Sequence, residues 1–309
     1  MKRRTEVDLL PDHRAALVAI VGRANVGKSS LLNALLGEKV SIESPVAQTT
    51  RTIVRGVLTE PRGQLAFLDT PGVHRAQTDL GRLMNRAARA AIEGVDAVLL
   101  VVDASVPPAL EDEGWMRRLC RMKEAVPLFF ALNKTDVGRA GRAGLQALWT
   151  AAAAVAEGPV PAPEWIEVSA KTRAGLPLLL DRLFAQAPQQ PFLFPEDVLT
   201  DHPRGLAIAD AVREKLFLRL HDEVPHRIAV ATEHWVERAE GWLATVAVYV
   251  ERASQKGIVI GHKGRTLRAV RRAAEAELAK AFGVPITLDL VVKIEPGWTR
   301  NYWFLKRIG

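Results

Sequence analysis

From Ala15 to Ala187 short apolar runs alternate with amphipathic stretches. The segments ALVAIVG (16–22), VDAVLLVV (95–102), VPLFFAL (126–132) and WIEV (165–168) are nearly continuous in apolar residues, the pattern of parallel strands covered on both faces. Between them, DLGRLMNRAARAAIEG places Leu80, Leu83, Met84, Ala87, Ala91 and Ile92 at helical spacing and stops at Gly94, which predicts a covering helix. TIVRGVLTEPRGQLAFLDT (52–70) predicts two strands about a Pro-Gly turn, and so one antiparallel edge strand. Together these predict, behind an N-terminal tail (1–14), an α/β unit over 15–187: a mostly parallel sheet with helices on both faces.

The alternation lapses over 188–205, PQQPFLFPEDVLTDHPRG, whose four prolines suit a linker. A smaller α+β unit is expected over 206–309, ordered α-β-β-α-α-β. It has a helix near 206–222, strands at 226–234 and 242–251, a short helix, a glycine loop, a long helix to about Phe282 and a strand near 286–294. No internal repeat is present. A chain of 309 residues accommodates two such cores.

Composition narrows the setting. With 48% hydrophobic and 25% charged residues the chain is globular. No apolar run reaches the ~20 residues that span a bilayer, and acidic residues and a proline interrupt the N-terminal stretch where a secretory signal would lie. One cysteine, Cys120, excludes an intramolecular disulfide. Residues 206–309 carry 17 Lys/Arg against 12 Asp/Glu, or +5 of the total +7. Between Arg252 and Arg272 stand seven basic residues and no acid, a block suited to a polyanion.

The segment GRANVGKSS fits G-x-x-x-x-G-K-[ST] with Gly22, Gly27, Lys28 and Ser29, between a predicted strand and a predicted helix. Backbone N–H groups of Gly22, Arg23, Ala24, Asn25, Val26, Gly27 and Ser30 would close around phosphate oxygens, Lys28 would reach the β- and γ-phosphates, and the Ser29 hydroxyl would meet Mg²⁺. DTPG, from Asp69 through Thr70 and Pro71 to Gly72, ends a strand. Asp69 is placed to hold the metal through water, and the Gly72 N–H to sense the γ-phosphate. In QTTR (48–51) either Thr49 or Thr50 can offer a hydroxyl to the metal, and Thr50 is preferred. NKTD, with Asn133, Lys134 and Asp136, follows another strand. A carboxylate there accepts from N1–H and the 2-amino group of guanine, donors that adenine lacks, so the base is expected to be guanine. SAK (Ser169, Ala170, Lys171) stands where a second base-contacting loop is needed.

This order of motifs resembles that of small GTPase domains. Val73 after DTPG resembles the branch with a hydrophobic residue in place of the water-orienting glutamine, which implies slow intrinsic hydrolysis. Asn25 matches the P-loop asparagine of potassium-dependent members, which implies that K⁺ assists. Lys28, Asn25, Thr50 and Gly72 are the expected catalytic set.

Gly-x-x-Gly is a weak signal, and this chain holds three copies. Those at 138–141 and 141–144 lie in a polar loop. Only Gly261–His262–Lys263–Gly264 sits between predicted helices, with IVI before it and Arg265, Arg268, Arg271 and Arg272 after it. A KH module binds single-stranded RNA with such a loop, and the element order resembles its type II form. The expected RNA contacts are residues 261–265 with Arg268 and Arg272. Trp235, Trp242 and Trp298 read as core or strand-end aromatics, and His221, His226, His234 and His262 show no zinc pattern.

A GTPase unit joined through a short linker to a type II KH domain resembles the Era-like family of bacterial GTPases over nearly the whole chain, with REKLFLRLHDEVPH (213–226) adding to the match. The resemblance implies a monomer that uses GTP and GDP, assists small-subunit assembly and binds ribosomal RNA near its 3′ end. It also implies a cytoplasmic location with peripheral contact at the inner membrane. The final PGWTRNYWFLKRIG is more basic than the tails common in that family. The alternatives are a constitutive RNA-binding protein with a structural nucleotide domain, or a tRNA-modification GTPase. Against the latter, Cys120 lies on a predicted helix and no cofactor domain is evident.

Overall fold

The computed structural model describes residues 13–44, 46, 49–73, 78–122, 124–301 and 304–305. The first eleven regular elements are β1 (Arg14–Val21), α1 (Lys28–Leu36), β2 (Val54–Glu60), β3 (Gly63–Asp69), α2 (Asp79–Ala90), β4 (Ala97–Asp103), α3 (Leu110–Leu119), β5 (Leu128–Asn133), α4 (Arg142–Ala154), β6 (Glu164–Glu167) and α5 (Leu176–Gln186). The six strands form one sheet ordered β2-β3-β1-β4-β5-β6. Every neighbouring pair is parallel except β2 with β3, the expected antiparallel edge.

The near-continuous apolar strands are explained by two cores. Successive side chains alternate across the sheet, so Leu99 and Phe129 join Leu31, Leu32, Phe67, Ile166 and Leu179 on one face. Leu100 and Phe130 join Trp115, Met116, Leu145 and Trp149 on the other. Each fully buried Leu or Phe contributes about 1.5–3 kcal/mol. Register then positions the site: Ile20 pairs with Asp69 and with Leu99, and Asp103 pairs with Asn133. The strand ends that carry the predicted motifs therefore lie along one edge of the sheet.

The second core is built from α6 (Arg204–Phe217), β7 (Ile228–Arg238), β8 (Gly241–Val250), α7 (Ala253–Ile260), α8 (Arg265–Phe282) and β9 (Ile286–Ile294), in the expected order. β8 is central, antiparallel to β7 and parallel to β9. Ile208, Val212, Leu216, Val246, Val248, Val270, Ala274 and Leu278 bring α6 and α8 onto one face of this sheet. Trp298, Phe304 and Leu305 of the final segment pack with Ala229, Ala247, Tyr249, Leu80 and Met84, so the described part of that segment is core and not a free tail.

The domain limits differ from those expected. Two compact units form: Met1–Ser41, Ile53–Val73 and Ala87–Asp201, and then Ile42–Thr52, His74–Arg86 and His202–Gly309. Residues 188–201 belong to the first unit because they are hydrogen-bonded to it. The amide of Gln64, fully buried, accepts from the N–H groups of Leu193 and Phe194 and donates to the Phe194 carbonyl. The Val57 N–H of the edge strand donates to the Leu199 carbonyl, and the Thr200 hydroxyl to the Arg55 carbonyl. The linker's last residues, Arg204 and Gly205, are helical. The helix expected to reach 222 stops at Phe217, and Leu220 packs into the core from the turn that follows. Of the expected N-terminal tail, residues 1–12 lie outside the described residues.

Candidate functional site

The loop from Gly22 to Gly27 leaves β1 and enters α1 at Lys28. Its glycines are fixed by close approach. A Cβ on Gly22 (φ 149°) would stand 2.3 Å from the Val101 carbonyl oxygen, and one on Gly27 (φ 94°) 2.5 Å from Asn133 Nδ2. Between them Asn25 takes a left-handed φ of 64°, which asparagine tolerates better than most residues. The first-turn N–H groups of α1 open onto this loop, as an anion site requires. Lys28 is buried with Nζ donating to the Arg23 carbonyl at 2.9 Å. Burial lowers its pKa to about 8, Asp69 opposes the shift and Arg23 adds to it.

Asp69, fully buried at the end of β3, accepts on Oδ2 from the hydroxyls of Ser29 and Ser41, each at 2.7 Å. One carboxylate and adjacent hydroxyl oxygens make a hard oxygen donor set, which suits Mg²⁺. Thr70 follows with its hydroxyl on the Ile20 carbonyl at 2.8 Å, then Pro71. Gly72 passes so close to the loop that a Cβ would stand 2.6 Å from Ala24 Cα. Ala24 N–H donates to the Val73 carbonyl and Val73 N–H to the Gly22 carbonyl, so the two phosphate-facing loops are bridged. Arg23 reaches outward to Asp112 at 3.0 Å, and Val26 is buried in the core.

The base side is a brace of three loops. The Asn133 amide donates to the Val26 carbonyl at 2.9 Å and accepts from Ala170 N–H at 3.0 Å, so it joins the NKTD, phosphate and SAK loops. Lys134, at φ 64°, donates to the Asn25 carbonyl at 2.8 Å and to Asp103 at 2.7 Å. Burial alone would raise the Asp103 pKa, but hydrogen bonds from Lys134 and Ser105 hold it below the usual value. Ser169, fully buried, donates to Asp136 Oδ1 at 2.7 Å and orients the exposed carboxylate. Lys171 beyond it is exposed. Sequence reasoning missed Asp103 and Ser41. An aspartate ending an apolar strand was the signal for the first, and nothing local marked the second.

Thr50 belongs to a different unit from Ser29 and Asp69: its segment, Ile42–Thr52, falls in the second. There α6 holds it. Arg213 donates to the Thr49 carbonyl at 3.1 Å, and Glu214 accepts from Glu43 N–H at 3.0 Å. Arg51 donates to the Ile228 carbonyl at 3.0 Å and lies over the Trp298 ring. The Thr49 hydroxyl donates to the Val46 carbonyl at 2.6 Å. Gln48 lies outside the described residues.

In the glycine loop, Gly261 (φ 72°, ψ 169°) ends α7, and a Cβ there would stand 2.1 Å from Thr266 Oγ1. Lys263 is left-handed at φ 51°, and Gly264 (φ 73°) caps α8. His262 and Lys263 are exposed. Arg265 donates to His262 Nδ1 and Arg268 to the Lys263 carbonyl, both at 2.7 Å, so two of the expected RNA-contacting arginines brace the loop. Arg272 is exposed farther along α8. Trp298 and Trp242 are core and Trp235 stands exposed near the end of β7, as core and strand-end aromatics. No group of three His, Cys, Asp or Glu among the described residues is placed to hold a metal.

Comparison with known proteins matches a family to each half of the chain. A family described as 50S ribosome-binding GTPase matches residues 17–134, and the KH domain family matches 223–299. The GTPase Era of Geotalea uraniireducens (strain Rf4) is 39% identical over 297 residues, 96% of this chain and 97% of that protein. That of Geobacter metallireducens is 38% identical over 298 residues, at 96% and 97% coverage. A crystal structure of Era in complex with MgGDPNP and nucleotides 1506–1542 of 16S ribosomal RNA is similar at a TM-score of 0.87 and 34% identity, over 96% of this chain and 99% of that one. A point variant of Aquifex aeolicus Era bound to GDP and AlF4⁻ is similar at a TM-score of 0.85 with the same identity and coverage.

Proposed function

Because the chain belongs to the Era family of GTPases, we propose that it couples GTP hydrolysis to the binding of small-subunit ribosomal RNA near its 3′ end, as a ribosome assembly factor. The observation that carries the RNA half is the loop Gly261–Gly264. Its glycines hold His262 and Lys263 exposed at the head of an arginine-rich helix, where backbone and side-chain donors meet phosphates. The similarity to an Era crystallised with 16S ribosomal RNA supports the choice of RNA.

On the nucleotide side each residue has a distinct task. The loop from Gly22 to Gly27 and the N-terminus of α1 bind the phosphates, and the Lys28 ammonium neutralises them. The Ser169-oriented Asp136 carboxylate selects guanine. Ser29 and Asp69 would hold Mg²⁺, which when bound neutralises charge developing on the phosphates. The apolar Val73 orients no water, so unassisted hydrolysis is slow. Asn25 lies in the phosphate loop, where its amide oxygen is suited to hold K⁺. Hydrolysis is expected to run severalfold faster in potassium than in sodium, and equal initial rates in the two salts would remove that role.

The test of the whole reading is RNA affinity in two nucleotide states. A labelled RNA covering the 3′ end of small-subunit ribosomal RNA should bind the full chain with Kd values differing by about tenfold or more between a nonhydrolysable GTP analogue and GDP, the usual size of an allosteric coupling. Equal affinities would mean constitutive RNA binding beside a merely structural nucleotide unit.

A further inference from the structure

The leucines of α1 share their helix with a buried amide. Leu31, Leu32 and Leu35 enter the core, and Asn33 among them is only 8% exposed. A buried amide costs free energy unless it is bonded, and this one is bonded to the chain that returns after Gly37 ends the helix. Asn33 Oδ1 accepts from the Val40 and Ser41 N–H groups, each at 2.9 Å, and Nδ2 donates to the Ser41 carbonyl at 2.7 Å. All three bonds go to backbone, so they fix the place of Ser41 whatever side chain stands there. The Ser41 hydroxyl, itself buried, then donates to Asp69 Oδ2 at 2.7 Å. That oxygen also takes the Ser29 hydroxyl at 2.7 Å. Ser29 and Asn33 lie four residues apart on α1 and so on one face of it. Ser29, Asp69, Ser41 and Asn33 therefore close a buried polar circuit that runs from the first turn of α1 through the end of β3 and back to the same helix.

The two hydroxyls on Oδ2 differ in what they can do for a metal. A hydroxyl has one donor and two acceptor sites, so Ser29, in the first turn of α1, can give a lone pair to Mg²⁺ while its proton stays on Asp69. Ser41 has its N–H, carbonyl and hydroxyl all engaged within the circuit, which suits orientation. We propose that Ser41 is a positioning residue: its hydroxyl, set by Asn33, holds the Asp69 carboxylate in place for Mg²⁺ and so raises metal affinity without touching the metal. The inference rests on the reading of Ser29 and Asp69 as the metal site. A carboxylate oriented in advance loses no rotational freedom when the ion arrives. A turn held by three bonds presents the orienting hydroxyl at one place, which is what that task requires.

The test uses the full chain, a fluorescent nonhydrolysable GTP analogue and Mg²⁺. In the native protein the analogue should bind more tightly with Mg²⁺ than in EDTA, and titrating the ion gives the concentration at the midpoint of that gain. In Ser41→Ala the midpoint should rise about tenfold, whereas the Kd measured in EDTA stays within about twofold. A merely structural Ser41 would weaken binding with and without Mg²⁺ alike, and that result, or an unchanged midpoint, overturns the proposal. Should Ser41→Ala fail to fold, hydrogen exchange in the native chain decides. With the analogue saturating, the Val40 and Ser41 amides held by Asn33 should keep their protection within about twofold on adding Mg²⁺. Faster exchange with the ion would mean that the turn leaves Asp69 as the metal arrives, and the proposal falls. If Mg²⁺ adds nothing to analogue binding in the native chain, the metal-site reading itself fails and the role of Ser41 with it.

Discussion

The proposed role of Lys28 on the phosphates predicts the pH range over which this protein holds its nucleotide. The buried Lys28 ammonium has a pKa of about 8. Phosphate oxygens beside it favour the charged form, so the bound state has the higher pKa and binding takes up a proton above pH 8. Affinity is therefore full below about pH 8 and falls as pH rises through it, by up to about tenfold per unit. The Kd of a fluorescent GDP followed from pH 7 to 9 should show that bend, and a flat profile would mean that Lys28 contributes no titrating charge. At this scale the sequence pointed to the residues whose placement depends on neighbours in the chain: Gly22, Gly27, Lys28 and Ser29 where β1 turns into α1, and Asp69 at the end of β3. It did not reveal partners far away in sequence. Asn133, read from the sequence as part of the guanine-binding motif, also braces Val26 and Ala170, and Lys134 is held by Asp103, because no periodicity or spacing records where a long-range hydrogen bond ends.

Among the elements, the helix–loop–helix from α7 to α8 shows what glycine spacing alone could not. Its meaning comes from backbone: Gly261 and Gly264 in positive φ, and Lys263 forced there between them. Aspartate accepts a left-handed conformation at least as well as lysine, so replacing both His262 and Lys263 by Asp should leave the fold and the unstimulated GTP hydrolysis intact. It should weaken RNA binding by about a hundredfold or more, since an imidazole and an ammonium become two anions facing phosphate. Fluorescence anisotropy with the same labelled RNA measures the loss, and undiminished binding would place the RNA site elsewhere. Strands and helices were largely legible, because apolar runs and helical spacing are local. Their ends were less so. The helix from Arg204 stops at Phe217 although Leu220 continues the apolar pattern, and the burial of Arg213, Glu214 and Lys215 contradicts any surface reading of that helix.

At the scale of the whole molecule, two cores and their order could be read from the switch in pattern near Pro188, but the allocation of chain to core could not. Residues 42–52 form a short, polar-flanked segment, and what assigns them to the second unit is long-range: hydrogen bonds to Arg213 and Glu214 of α6 and to the Ile228 carbonyl, and the seat of Arg51 over Trp298. Composition marked 188–205 as a tether, yet most of it lies along the first unit, with Leu193 and Phe194 held by Gln64, Leu199 by Val57 and Thr200 by Arg55. Those last two bonds have a consequence for how the protein behaves in a crowded solution. β2 is the open rim of a six-stranded sheet, and an open rim is a template on which another molecule's strand can add. By taking the outward N–H of Val57 and the carbonyl of Arg55, the tether occupies that template from within. The same proline-rich stretch that joins the two units thus guards the sheet against aggregation.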